Sequence, residues 1–222
     1  MAIGEMEMIW TVDGDETSWG SWADNIGLAP ATPLMQELIG TNTSSQPGWA
    51  VDLGCGTGRA FQPLVKAGYR VIGVDPTARG IQMSRERVDQ EVLDGFPLQA
   101  SAARLPIRDD AVLFVYAVGI LFHLSQKEMT SALREIYRVL CFDGKALLHF
   151  LDIDDWRRSL AGEIRPEEAP SPSYRAVVTC FCTKQTIQDW IEGAGLRLES
   201  LELRTGKSEA GEQRNWFASC RK

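Results

Sequence analysis

A chain of 222 residues, 44% of them hydrophobic, is long enough to bury one large core, and it reads as a single domain spanning residues 1–222. Its formal net charge of −7 disfavours a general nucleic-acid binder, which needs a basic footprint to displace counterions from phosphates, while leaving room for a local basic patch. Five cysteines, Cys55, Cys141, Cys180, Cys182 and Cys220, are odd in number and scattered, which argues against a disulfide framework or a regularly spaced zinc site and suits a reducing cytoplasm.

The first 47 residues read as an N-terminal segment in front of the core. It carries acidic Glu5 and Glu7 and no apolar run of the secretory type. Trp10, Trp19 and Trp22 punctuate a polar stretch and admit two readings, packing against the core or forming a lid over a ligand pocket. The spacing of Leu34, Leu38 and Ile39 after Thr32-Pro33 predicts a helix, and the turn-rich residues 40–48 close it.

Residues 51–58, VDLGCGTG, follow an apolar run and lead into residues 59–68, which suit a helix. Strand, tight turn and helix is the predicted order. Gly54, Gly56 and Gly58 alternate, so the backbone can take positive φ and lie flush against a nucleotide-like ligand. A dinucleotide fingerprint needs its third glycine three residues after the second, and that position is Arg59, which argues against NAD.

A β-branched run at 69–74 predicts the second strand and ends in Asp75, placed to accept two hydrogen bonds from vicinal ribose hydroxyls. On this reading Asp75→Ala weakens cofactor binding and leaves the fold intact. Thr77 predicts the cap of a helix over 78–88. A short strand at 96–100 and a loop at 101–110 lead to the apolar run 111–122. That run is too short to span a bilayer and reads as a buried parallel strand over 111–118. Small Ala117 and Gly119 leave room for a ligand at its carboxyl end. A helix over 126–140, a turn at Asp143-Gly144 and a fifth strand over 145–151 complete an alternation that predicts a doubly wound sheet.

Residues 163–173 form a Pro, Glu and Ser cluster that reads as a surface loop or an active-site flap. A helix over 184–194, stopped by Gly195, precedes two strands at 196–203 and 215–220. These are joined through a hairpin at 206–211, so the sheet ends antiparallel.

With these pieces in order, the chain resembles class I S-adenosylmethionine-dependent methyltransferases, in particular the small-molecule group typified by menaquinone and ubiquinone biosynthesis enzymes. The resemblance covers roughly residues 48–220. It rests on VDLGCGTG at 51–58, VIGVD at 71–75, LP at 105–106, GILFHL at 119–124, LREIYRVL at 133–140 and FCTKQTIQDWIEGAGL at 181–196. It implies a Rossmann-like, mostly parallel seven-stranded sheet with a reversed last strand, and residues 48–222 as the cofactor-binding core.

The resemblance further implies that Gly54, Cys55, Gly56 and Gly58 pass against S-adenosylmethionine, and against the product S-adenosylhomocysteine after transfer. Asp52 would hold the loop and the cofactor's amino group, Asp75 with neighbouring Pro76 the ribose, and Ala117 the methionine end through its backbone. Ser101 stands where the family has an acidic adenine-binding residue, with the Ala102 N–H beside it. Cys55 is read as a small loop residue and not as a nucleophile. The chain departs from the family at Val112-Leu113, where Phe-Asp is usual, and at Cys141 to Gly144, where Lys-Pro-Gly-Gly is usual.

Methyl transfer from a sulfonium is an in-line displacement and needs a general base only if the acceptor loses a proton. His123 is the candidate base and alternatively fixes its loop, whereas His149, inside the fifth strand, reads as structural. Trp19, Trp22, Trp156 and Tyr174 are expected to wall the pocket of a small-molecule acceptor, with no metal, no nucleic-acid partner and no membrane span. Two other readings stay open: a methyltransferase acting on RNA or protein, and a non-catalytic S-adenosylmethionine-binding protein.

Overall fold

The computed structural model describes residues 23–160, 180–209 and 211–222. Thr32 accepts from the Met35 amide and, with Pro33 at the first helical position, starts α1 (Pro33–Gly40). Then follow β1 (Gly48–Leu53), α2 (Phe61–Lys66), β2 (Tyr69–Asp75), α3 (Ala78–Glu91), β3 (Gly95–Gln99) and β4 (Val112–Ala117). After a short 3-10 turn, Leu121–His123, come α4 (Gln126–Val139) and β5 (Leu140–Asp152). A second 3-10 segment, Trp156–Leu160, precedes β6 (Phe181–Cys182), α5 (Lys184–Gly193), β7 (Arg197–Ser208) and β8 (Gly211–Arg221).

The strands lie in the order β3-β2-β1-β4-β5-β8-β7, with β8 antiparallel to both neighbours and all other pairs parallel. This is the expected seven-stranded path with a reversed last strand. The two residues of β6 add an eighth strand beside the carboxyl end of β5, pairing Leu151 with Phe181 and Asp152 with Cys182. The Cys180 amide donates to the Phe122 carbonyl at 2.7 Å, which ties this addition to the turn after β4.

Each face of the sheet buries its own cluster. One packs Leu38 and Ile39 of α1, Phe61 and Leu64 of α2 and Ile81 of α3 on Ala50, Phe114, Tyr116, Leu147 and Phe217. The other packs Met129, Leu133 and Ile136 of α4 and Ile187 and Ile191 of α5 on Val51, Val115, Leu148 and Phe150. Helix α4 opens with a reciprocal cap, the Ser125 hydroxyl accepting from the Glu128 amide and the Glu128 carboxylate from the Ser125 amide at 3.0 Å.

Four expected boundaries move. The helix after the glycine turn is only Phe61–Lys66, because residues 54–60 are spent on turns. Helix α3 runs on to Glu91, whose carboxylate meets Arg87 at 2.7 Å across the last turn. Asp143-Gly144 is not a turn before a strand but a bulge inside β5, with Asp143 at φ 65°. From Val112↔Leu140 to Phe114↔Lys145, two steps on β4 face five on β5. The last hairpin is longer than its apolar runs, its ladder reaching Ser208↔Gly211, so Gly206 lies inside β7.

Candidate active site

The sheet order reverses where β1 lies between β2 and β4, and the loops leaving β1, β2 and β4 meet there at the carboxyl edge. Gly54 and Gly56 adopt φ of 72° and 48°. A Cβ on Gly54 would sit 2.7 Å from Ile120 Cβ, so the glycine is what lets the loop after β4 close on the turn. The turn is held from β2: the amides of Gly54 and Cys55 donate to the Val74 carbonyl at 2.7 and 3.0 Å, and the Gly56 amide donates to Asp75 Oδ2 at 2.9 Å.

Asp75 does more than the sequence suggested. Its Oδ1 accepts from the Thr77 amide at 2.9 Å and from the Thr77 hydroxyl at 2.6 Å. With Gly56 on Oδ2, three of the roughly four acceptor positions of the carboxylate are filled, and among the described residues nothing fills the fourth, on Oδ2.

Asp52 faces the same corner. It is 4% exposed, and burial together with the charge of Asp75 pushes its carboxyl from 3.8 up to about 8. No hydrogen bond among the described residues offsets that cost. Its register partner on β4 is Tyr116, whose buried hydroxyl has no partner among the described residues. Arg59, near Tyr116, gives Nε and Nη2 to the Pro30 carbonyl, both at 3.2 Å. Burial and the two carboxylates push the Cys55 thiol well above its ordinary value, which fits a small, unreactive loop residue.

At the β3 side, Ala102 is buried while Ser101 is exposed and accepts from the Ala103 amide at 3.2 Å, stiffening its own turn. Gln99, which sequence reasoning passed over, reaches across to the exposed Pro76 and donates to its carbonyl at 3.0 Å. Ala117 ends β4, fully buried.

The half-buried His123 lies in the turn after β4, its ring 4.3 Å from that of Phe122. His149 stands on the same ring cluster, edge-on to Phe122 at 5.0 Å and stacked on Phe217 at 4.6 Å. His149 Nε2 meets Asn215 Oδ1 at 3.1 Å, and Arg157 Nη2 donates to the same oxygen at 3.1 Å. Arg157 in turn donates from Nε and Nη2 to the two oxygens of Asp155, at 2.7 Å each. Nothing in the spacing of Asp155, Arg157 and Asn215 signals this chain, because β8 supplies its middle link from the far end of the sequence.

Trp156 packs against the tip of the last hairpin, where a Cβ on Gly211 would lie 2.6 Å from Trp156 Cβ. Trp19, Trp22 and Tyr174, and the 163–173 cluster, lie outside the described residues. Among the described residues no group of three or more His, Cys, Asp or Glu is placed to hold a metal ion, and no helix is long and apolar enough to cross a membrane.

Residues 51–148 match the family described as "Methyltransferase domain". This stretch holds the glycine turn, both carboxylates and β4, the parts just assembled. Over this stretch the chain is similar to S-adenosylmethionine-dependent methyltransferases. Among curated relatives, an uncharacterised methyltransferase of Alkaliphilus oremlandii is 22% identical over 61% of this chain and 61% of its own length. A Dictyostelium discoideum protein named "Probable 18S rRNA (guanine-N(7))-methyltransferase" is 25% identical over 51% of this chain and 42% of its own. The chain thus spans about half the length of the curated relatives it matches. The same fold occurs in the Burkholderia thailandensis 1,6-didemethyltoxoflavin-N1-methyltransferase, solved with 1,6-didemethyltoxoflavin and S-adenosylhomocysteine bound. The TM-score is 0.70 and the identity 14%, over 100% of this chain and 98% of that one.

Proposed function

We propose that the protein transfers the methyl group of S-adenosylmethionine to a small-molecule acceptor. The observation that carries this reading is the buried Asp52 carboxylate, without a hydrogen bond among the described residues, beside Asp75 at the sheet's reversal point. Two adjacent carboxylates with one acceptor position still open suit a cationic nucleoside, and so fit the cofactor better than an anionic dinucleotide.

When bound, S-adenosylmethionine supplies a methyl group on a sulfonium sulfur, which leaves by in-line displacement. Asp52 would hold its ammonium group and Asp75 Oδ2 a ribose hydroxyl. Gly54, Cys55, Gly56 and Gly58 would form the wall beneath the methionine end, with the backbone of Ala117 at its border. Pro76, Gln99, Ser101 and Ala102 would border the adenine. The Ser101 hydroxyl keeps a donor to offer while its oxygen serves the Ala103 amide. His123 would accept a proton where the acceptor must lose one, and Trp156, with Trp19, Trp22 and Tyr174, would wall the acceptor.

A small molecule is favoured over RNA by the net charge of −7 and by the bound substrate of the Burkholderia protein. The Dictyostelium protein's name supports the second reading, an RNA acceptor. All five cysteines are free, which suits the cytoplasm. Calorimetry with S-adenosylhomocysteine tests the cofactor assignment: binding that weakens at least about tenfold in Asp52→Ala is expected for a charge-assisted contact, and no binding to the wild type would end the reading.

A further inference from the structure

His149 belongs to neither the cofactor corner nor the expected base. The pairing of β4 with β5 ends at Ala117↔Leu148, so His149 comes one residue beyond that end, on the sheet face of Leu147, whose register partner is Tyr116. It is 9% exposed as a whole residue, while its Nδ1 is shielded from solvent.

The hydrogen bonds decide which ring nitrogen carries the proton. Arg157 only donates, so the atom of Asn215 that faces it is the carbonyl oxygen. That oxygen also faces His149 Nε2, which must then be the N–H. Burial, aided by Arg157 and His123, pushes the ring down to about 4, so it is neutral and has a single N–H. Nδ1 is left with a bare lone pair, buried and without a partner among the described residues. Phe217, Phe122 and the Asp155–Arg157–Asn215 chain hold the ring in that orientation.

We propose that Nδ1 of His149 is the recognition point for the methyl acceptor, taking a hydrogen bond from an O–H or N–H of a neutral small molecule. This rests on the methyltransferase reading above and narrows its substrate class. An anionic oxygen presented to the lone pair would be repelled and leave both groups unsatisfied, so carboxylates and phosphates are disfavoured at this point. A ring so weakly basic orients the acceptor and does not remove its proton.

The chain holds two histidines, so ¹⁵N-histidine labelling resolves His149 directly. The full chain, saturated with S-adenosylhomocysteine, is titrated with phenol and with toluene, which match in shape but differ in the hydroxyl donor. The expected result is a protonated Nε2, a phenol-dependent shift at Nδ1, and phenol binding about fivefold or more tighter than toluene. His149→Gln keeps a donor toward Asn215 and loses the acceptor at the δ position, so the preference is expected to vanish. His149→Asn keeps an oxygen there and is expected to retain it. Equal binding of the two probes, no shift at Nδ1, a proton on Nδ1, or a preference that survives His149→Gln each overturns the proposal. Failure of the wild type to bind S-adenosylhomocysteine is a separate outcome that removes the reading on which the proposal rests, and the proposal with it. Unchanged S-adenosylhomocysteine affinity in both variants confirms that they fold.

Discussion

The Asp75 carboxylate accepts the Gly56 amide at 2.9 Å, joining the end of β2 to the turn after β1 across 19 residues of chain. The residue read as a ribose ligand is therefore also a brace for the turn. Asp75→Ala is expected to cost stability as well as affinity, about 1.5–3 kcal/mol for loss of the charged hydrogen bonds to Gly56 and Thr77. Thermal melts and calorimetry on one preparation check this; an unchanged melting temperature with lost S-adenosylhomocysteine binding would mean that the brace carries no weight.

Asp52 makes the protein's stability depend on pH in an unusual direction. Its folded carboxyl is raised from 3.8 to about 8, so the folded state holds the proton more tightly than the unfolded chain. The contribution is fully present below about pH 4 and is lost as pH rises through about 8. Asp52→Asn is expected to flatten the fall in stability between pH 6 and 9. If its ammonium pairs with the ionised form as proposed, S-adenosylhomocysteine is expected to raise the melting temperature more at pH 9 than at pH 6. Chemical denaturation at several pH values reads the first effect and thermal shift the second; equal slopes in wild type and variant contradict it.

Tyr116→Phe removes a buried hydroxyl that has no partner among the described residues. Relief of an unsatisfied group is worth about 1–3 kcal/mol, so the ligand-free variant is expected to melt at or above the wild-type temperature. A clear drop would show that the hydroxyl is bonded.

Gly54→Ala puts a methyl group 2.7 Å from Ile120 Cβ and a side chain at φ 72°. The backbone cost alone is about 1–2 kcal/mol. Destabilisation and weaker S-adenosylhomocysteine binding are expected, with partial recovery when Ile120→Gly opens the facing space. A double-mutant cycle measures the coupling, and strict additivity would separate the two loops.

The glycine turn and the helix starts were legible because their signals are local. VDLGCGTG encodes strand, positive-φ turn and packing in eight consecutive residues, and Thr77, Ser125 and Thr183 announce their helices by capping chemistry. The bulge at Asp143 was not legible, since Asp-Gly serves a turn and a bulge equally well and only the pairing with β4 separates them. The Asp75–Gly56 brace and the Asp155–Arg157–Asn215–His149 chain were hidden for a related reason. Each joins residues distant in sequence through the register of the sheet, and no local pattern reports register. His149 reads as structural from its place inside the fifth strand, and its Nδ1, without a partner among the described residues, is seen only once Asn215 is in place.

The most direct test is transfer of label from methyl-labelled S-adenosylmethionine into a host-cell extract, with products separated by size and Gly56→Val as the blank. Label is expected in the small-molecule fraction with the wild type and absent with the variant. Label on RNA or protein, or equal labelling by the variant, would contradict a small-molecule methyltransferase built on this glycine turn.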